Sequence, residues 1–77
     1  MELVIVSPHG VVCQTEADSI TLPGSEGSFT ILKNHAPIMA LLVKGNIVYK
    51  NGEELHKVAV NSGFVNVAHN KVEVCVE

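Results

Sequence analysis

Cys13, Cys75, Ser62 and the histidines His9, His35, His56 and His69 are the side chains whose types could carry nucleophilic or metal chemistry. A nucleophile needs a base within hydrogen-bond reach and a third group to orient that base. None of these residues falls in a nucleophile elbow or a Cys-His signature. The histidines and cysteines also lack His-x3-His and Cys-x2-Cys spacing, so a metal set would have to be assembled from distant strands. The expectation is a chain with no catalytic residue, no cofactor and no metal site.

The stretch LPGSEGSFTILKNHAP, Leu22 to Pro37, holds the densest backbone signals. A Gly-x-x-Gly loop that cradles phosphate would be followed by a helix start, whereas Ser28–Leu32 reads as a strand. The loop therefore reads as a corner. Pro23 cannot donate to a ladder and is expected to end its strand, Gly24 and Gly27 bracket Ser25-Glu26 in a left-handed loop, and Phe29, Ile31 and Leu32 re-enter the core. Lys33-Asn34 make a further turn. Pro37 then holds Ala36 extended and fixes the direction in which His35 is presented. By itself His35 is equally a locally bonded turn histidine or a partner contact.

Almost every other segment has the period of a strand. Val72, Val74 and Val76 alternate with Glu73 and Cys75, and Phe64–Ala68 repeats the step, with His69-Asn70 as the turn between them. Asn46–Lys50 and Glu54–Val60 flank Asn51-Gly52, the pair favoured where both central turn residues need positive φ. Leu3–Ser7 reads as a strand apolar on both faces, followed by a turn at Pro8-His9-Gly10, a short strand Val11–Gln14 and a strand Thr15–Leu22. Pro37–Lys44, closed by Gly45, reads as a buried strand. Residues 1–77 are thus one all-β domain, a flattened antiparallel β-sandwich of about eight to ten short strands.

Composition narrows the function. A chain of 77 residues buries only about 60% of its unfolded surface and needs outside support. Two cysteines do not make a disulfide framework; the expectation is two reduced thiols acting as small hydrophobes, with a bridge between terminal strands as the alternative. Met1-Glu2 lacks the basic start of a signal peptide, which suggests a reducing compartment. The longest apolar stretch, Ala36 to Val43, is far shorter than the roughly 20 residues of a membrane span. With five scattered lysines and a net charge of −3 there is no basic stripe, so neither nucleic acid nor direct membrane insertion is expected. Sugar recognition commonly uses exposed aromatics, and Phe29, Tyr49 and Phe64 sit at strand positions that suit a core. A generic protein-interaction or carbohydrate-binding sandwich is the runner-up reading.

The order of the elements is more specific than any one of them. VSPHG, LPGSEGSFTILKNHAP, KGNIVY and AVNSGFVNVAHNKVEVCVE together resemble the N-terminal β-sandwich domain of the epsilon subunit of bacterial rotary (F-type) ATP synthases. That family's pattern is approximately Leu-Pro-Gly-x-x-Gly-x-x-Gly-Ile-Leu-Pro-Gly-His-Ala-Pro, with a Ser-Gly-Gly-Phe-Val-x-Val run before the last strand. The resemblance implies a noncatalytic, ten-stranded rotor domain. It would sit peripherally at the cytoplasmic face of the bacterial plasma membrane, holding the gamma subunit on the c-ring and coupling proton- or sodium-driven rotation to ATP synthesis. Carried over, Ser7, His35 and Ala40 match positions that face gamma, and Ser28 matches the corner-loop position that meets the ring.

The departures are local. Ser28 stands where many relatives carry Glu, with Glu26 as the neighbouring substitute; Thr30 replaces a Gly; and Lys33-Asn34 replace Pro-Gly, where Asn34 keeps access to the left-handed turn. Asn61 precedes Ser62-Gly63 in place of a small residue. Most members of the family it resembles continue into two C-terminal helices that can inhibit ATP hydrolysis, whereas this sequence stops at Glu77, one residue past the strand; with the start at Met1 a naturally short form is the expectation, and a trimmed piece of a longer protein the alternative.

Overall fold

In a computed structural model, which describes residues Met1–Glu77, the chain forms nine strands and no helix. They are β1 (Glu2–Ser7), β2 (Gly10–Glu16), β3 (Ser19–Gly24), β4 (Gly27–Leu32), β5 (Ile38–Leu42), β6 (Gly45–Asn51), β7 (Glu54–Val60), β8 (Gly63–Ala68) and β9 (Lys71–Val76). The strand order is β2-β1-β9-β8-β5-β3-β6-β7, with β4 on the far side of β3. The sheet curls so that β2-β1-β9-β8-β5 forms one layer and β4-β3-β6-β7 the other. Between β5 and β3 the only paired residues are Gly24 and Leu42. All neighbours are antiparallel except β1 and β9, which run parallel. That pair qualifies the antiparallel expectation: β1 is followed by a hairpin into β2, so its other edge is left for the last strand.

The core is built by alternation. Leu3, Ile5, Val65, Val67, Val72 and Val74 face inward from the first layer, Ile20, Leu22, Ile31, Ile47 and Val60 from the second, and no polar side chain is buried among them. At about 25 cal/mol per Å² of apolar surface, such side chains supply most of the drive to fold. β1, β3, β8 and β9 put every second residue into this layer, which is why the period of two is most regular in those stretches of the sequence.

The turns follow the residue types. In the β6–β7 hairpin Asn51 stays in the ladder opposite Glu54, so the turn is Gly52-Glu53 rather than the expected Asn51-Gly52, with positive φ (+63°) only at Gly52; His69 and Asn70 at φ 52° and 60° close β8–β9. Asn34 adopts φ 62°, the left-handed turn its type allows.

Several sequence expectations change. Pro37–Lys44 is not a buried strand: β5 spans Ile38–Leu42, and Met39, Leu41 and Val43 are exposed because only alternate residues along this stretch meet the core. Phe64 likewise faces outward, in register with Leu41, since Val65 takes the inward phase of β8. The expected strand Thr15–Leu22 is divided, because the chain crosses between layers at Ala17-Asp18: Ala17 is buried and its N–H donates to the Met1 carbonyl, while Asp18 N–H donates to the Lys50 carbonyl. Pro23 does not end its strand; β3 continues to Gly24. On the side where its N–H would have pointed, β3 changes neighbour, from β6 (last pair Thr21–Val48) to β5 (Gly24–Leu42), so no ladder donor is lost. Leu32 does not re-enter the core and is 58% exposed, because it pairs with Ser19 on the outward phase of β3 while Ile31 takes the inward one.

Asp18 fastens this corner from outside. Its carboxylate accepts a bond from the Gly52 N–H at 2.8 Å and lies 3.5 Å from the Lys33 ammonium. The Gly52 bond, opposed in part by desolvation and aided by Lys33, holds its pKa below the ordinary value of 3.8.

Candidate docking surfaces

The chemistry-bearing side chains are dispersed. His9 lies in the β1–β2 turn, where its N–H donates to Ser7 Oγ; His69 lies in the β8–β9 turn; His56, on β7, stacks on Tyr49 with ring centroids 5.0 Å apart. No three His, Cys, Asp or Glu side chains are grouped so as to hold a metal ion. Both cysteines are free and occupy opposite faces of one layer: Cys13 pairs with inward-facing Ile5, and Cys75 with outward-facing Val6. Cys13 packs against the core as a small hydrophobe. Cys75 departs from that expectation and is exposed, since Val74 takes the inward phase of β9. The Cys13 thiol lies 3.5 Å from the Tyr49 hydroxyl. That hydrogen bond, then burial, then the charge of a Cys13 thiolate raise the Tyr49 pKa above 10.0.

The five positions singled out in the sequence divide into two isolated residues and one group. Ser7 ends β1, and its hydroxyl donates to the Gly10 carbonyl at 3.4 Å. His35 sits at the opposite end of the layer, after the β4 turn. Its Nδ1 lies 2.6 Å from the Ala36 carbonyl, and the neighbouring Asn34 N–H donates to Asn70 Oδ1. The length of β1, at about 3.3 Å per residue, puts the two ends roughly 17 Å apart. Ala40, Ser28 and Glu26 instead line one groove of about 590 Å³ between the β3–β4 hairpin and β5, together with Phe29, Ile38 and Met39. Ser28 is not in the corner loop. It belongs to β4, opposite Pro23, because Ser25-Glu26 alone form the turn that Gly24 and Gly27 close.

Gly24 and Gly27 allow that tight turn for different reasons. Gly27 has φ +126°, which an L side chain rarely adopts, whereas a Cβ on Gly24 would meet the Gly27 carbonyl oxygen at 2.6 Å and the Phe29 ring at 2.8 Å.

One surface feature was missed from sequence. Register aligns Leu41, Phe64, Cys75, Val6 and Val11 in a row across β5-β8-β9-β1-β2 on the outer face of the first layer. Leu41 and Val11, at its two ends, are 62% and 63% exposed. An aligned apolar row of this kind is the type of surface that partners cover. Its members lie far apart in the chain, so only pairing reveals them.

These features define a small all-β sandwich domain with an exposed apolar face and an open groove at one seam. Residues 1–77 match the family model described as ATP synthase, Delta/Epsilon chain, beta-sandwich domain, and the chain belongs to that family. It is 38% identical over 77 residues to the ATP synthase epsilon chain of Leptospira borgpetersenii, covering 100% of this chain and 61% of the relative. It is 43% identical over 79 residues to that of Sulfurovum sp., again covering 100% and 61%. The chain thus spans about three fifths of the length of these relatives. The fold is similar to a chain in the central stalk/c-ring structure of Tetrahymena thermophila mitochondrial ATP synthase, with TM-score 0.82 and 20% identity, covering 99% of this chain and 62% of that one. It is also similar to a chain of Euglena gracilis mitochondrial ATP synthase, with TM-score 0.89 and 19% identity over 96% and 48%. No helix is long and apolar enough to cross a membrane.

Proposed function

We propose that the chain is a noncatalytic central-stalk element of a rotary ATP synthase, holding the gamma subunit on the membrane c-ring and passing ion-driven rotation toward the catalytic head. The observation that carries this reading is the family match along the whole chain, to relatives named as epsilon chains. The place that goes with it is peripheral, at the cytoplasmic face of a bacterial plasma membrane. The physics of the fold supports such a role. With 41 of 48 backbone hydrogen bonds inside strands and short connections, the sandwich has few soft hinges and transmits shear. The apolar row supplies surface for a partner to cover, and a partner that holds only the folded form adds the stability a small domain lacks.

In this reading Ser7, His35 and Ala40 face gamma, while Ser28 and Glu26 face the c-ring. The test is a pull-down of the chain with the gamma and c subunits of its own organism, followed by His35→Ala and Ala40→Trp. Wild-type chain is expected to retain gamma, and both variants to weaken it. Absence of gamma binding refutes the function; unchanged binding by both variants refutes the assigned face.

A further inference from the structure

The groove between the β3–β4 hairpin and β5 is bordered by strand edges that have no neighbour. On β5, the Leu41 carbonyl accepts a bond from Ser25 and the Val43 N–H donates to Pro23, so both point toward β3. Backbone groups alternate along a strand, and Met39, two residues before Leu41, therefore turns its N–H and C=O to that same side. There β3 is no longer alongside, since the only β3–β5 pair is Gly24–Leu42. Neither the N–H nor the C=O of Met39 meets another strand, and the Leu41 N–H is likewise free. Across the groove, β4 has β3 on one side only. Its hairpin register turns Gly27 and Phe29 toward β3 and leaves the backbone of Ser28 on the open edge.

The side chains complete a receptor for an extended segment. Phe29, Ile38 and Ala40 are half-buried and form an apolar floor, while Met39 stands outward at 67% exposure. Glu26 is the one charged residue in the lining. Free main-chain groups beside an apolar floor are what strand addition uses: backbone bonds supply affinity, and pockets for alternate side chains supply selectivity.

We infer that this groove takes up an extended strand of a partner protein, paired with β5 at Met39, with apolar side chains on Phe29, Ile38 and Ala40 and a basic residue against Glu26. The inference rests on the docking role proposed above and revises one part of it: Ala40, Ser28 and Glu26, there divided between gamma and the c-ring, form one continuous site for a single segment.

The test uses the intact ATP synthase complex of the source organism, carrying wild-type or variant chain, with retention of the chain on the purified complex as readout. Met39→Pro removes the free N–H without touching the β5–β8 ladder, and Met39→Ala keeps the N–H while removing the exposed side chain. Retention is expected to fall about tenfold for Met39→Pro and less than about threefold for Met39→Ala, on the scale of one main-chain hydrogen bond lost or kept. Glu26→Gln is expected to weaken retention and flatten its salt dependence.

Amide exchange read on the wild-type complex keeps the question open to refutation should Met39→Pro not fold: Met39 and Leu41 amides are expected to be slow. Fast exchange at both, or equal retention of a folded Met39→Pro, overturns strand addition. A wild-type chain that is not retained at all overturns the proposed function with it, a pattern distinct from either.

Discussion

Replacing Gly24 with Ala isolates one contact that this fold cannot accommodate freely. Gly24 does not have the positive φ that would strain an L residue, so the substitution would by itself restrict the unfolded chain and add about 0.4–1 kcal/mol of stability. The new methyl, however, would lie 2.6 Å from the Gly27 carbonyl oxygen and 2.8 Å from the Phe29 ring. The ring can rotate away, but the carbonyl is backbone and part of the two-residue turn that closes β3 on β4. Forced shifts of this kind cost about 1–3 kcal/mol, leaving a net loss of about 1–2 kcal/mol.

For a domain of this size each kcal/mol moves the melting midpoint by about 4–8 °C, so a thermal melt followed by far-ultraviolet circular dichroism should show a drop of about 5–15 °C. Adding Phe29→Leu removes the ring contact but not the carbonyl, and should restore none of the part due to the backbone. If Gly24→Ala melts at or above wild type, the hairpin adapts, and the steric argument for glycine at this corner is wrong.

Asp18 should give a pH signature. Its folded pKa is lowered by the Gly52 N–H and Lys33, so its contribution is present above the ordinary value of 3.8 and is lost as pH falls through the lower folded value. Asp18→Asn should therefore melt below wild type near neutral pH and converge with it in acid, and a gap that stays constant into acid would refute this. Cys13→Ala should bring the Tyr49 titration down toward 10.0, seen in phenolate absorbance, because the hydrogen bond and the thiolate charge that raise it are removed. A titration left where it was would show that burial alone is responsible.

The strands were legible in the sequence wherever one face meets water. Val72–Val76 and Phe64–Ala68 lie where periodicity places them, because alternation of exposed and buried residues is a local property, whereas the β6–β7 hairpin turns one residue later than its Asn-Gly pair predicts, at Gly52-Glu53. The break at Ala17-Asp18 was not legible. Ala17 is buried by the Met1 end and Asp18 is fixed by Lys50 and Gly52, all remote in sequence. Pro23 was misread for a similar reason: whether a missing N–H ends a strand depends on whether a neighbour lies on that side.

The candidate surfaces divide along the same line. The family resemblance drew attention to Ser7, Ser28, His35 and Ala40, with Glu26 as a neighbour of Ser28, but spacing along the chain could not show that Ala40 shares a groove with Ser28 and Glu26 while Ser7 and His35 sit at opposite ends of a layer. The outer row from Leu41 to Val11 and the free edge at Met39 exist only through register between strands that are distant in the chain. What the sequence by itself determined is an alternating, turn-punctuated all-β chain with its family motif, since each is written in neighbouring residues. Which edges stay open and which apolar side chains face outward together was decided by tertiary structure, because hydrogen-bond partners are chosen by the folded sheet.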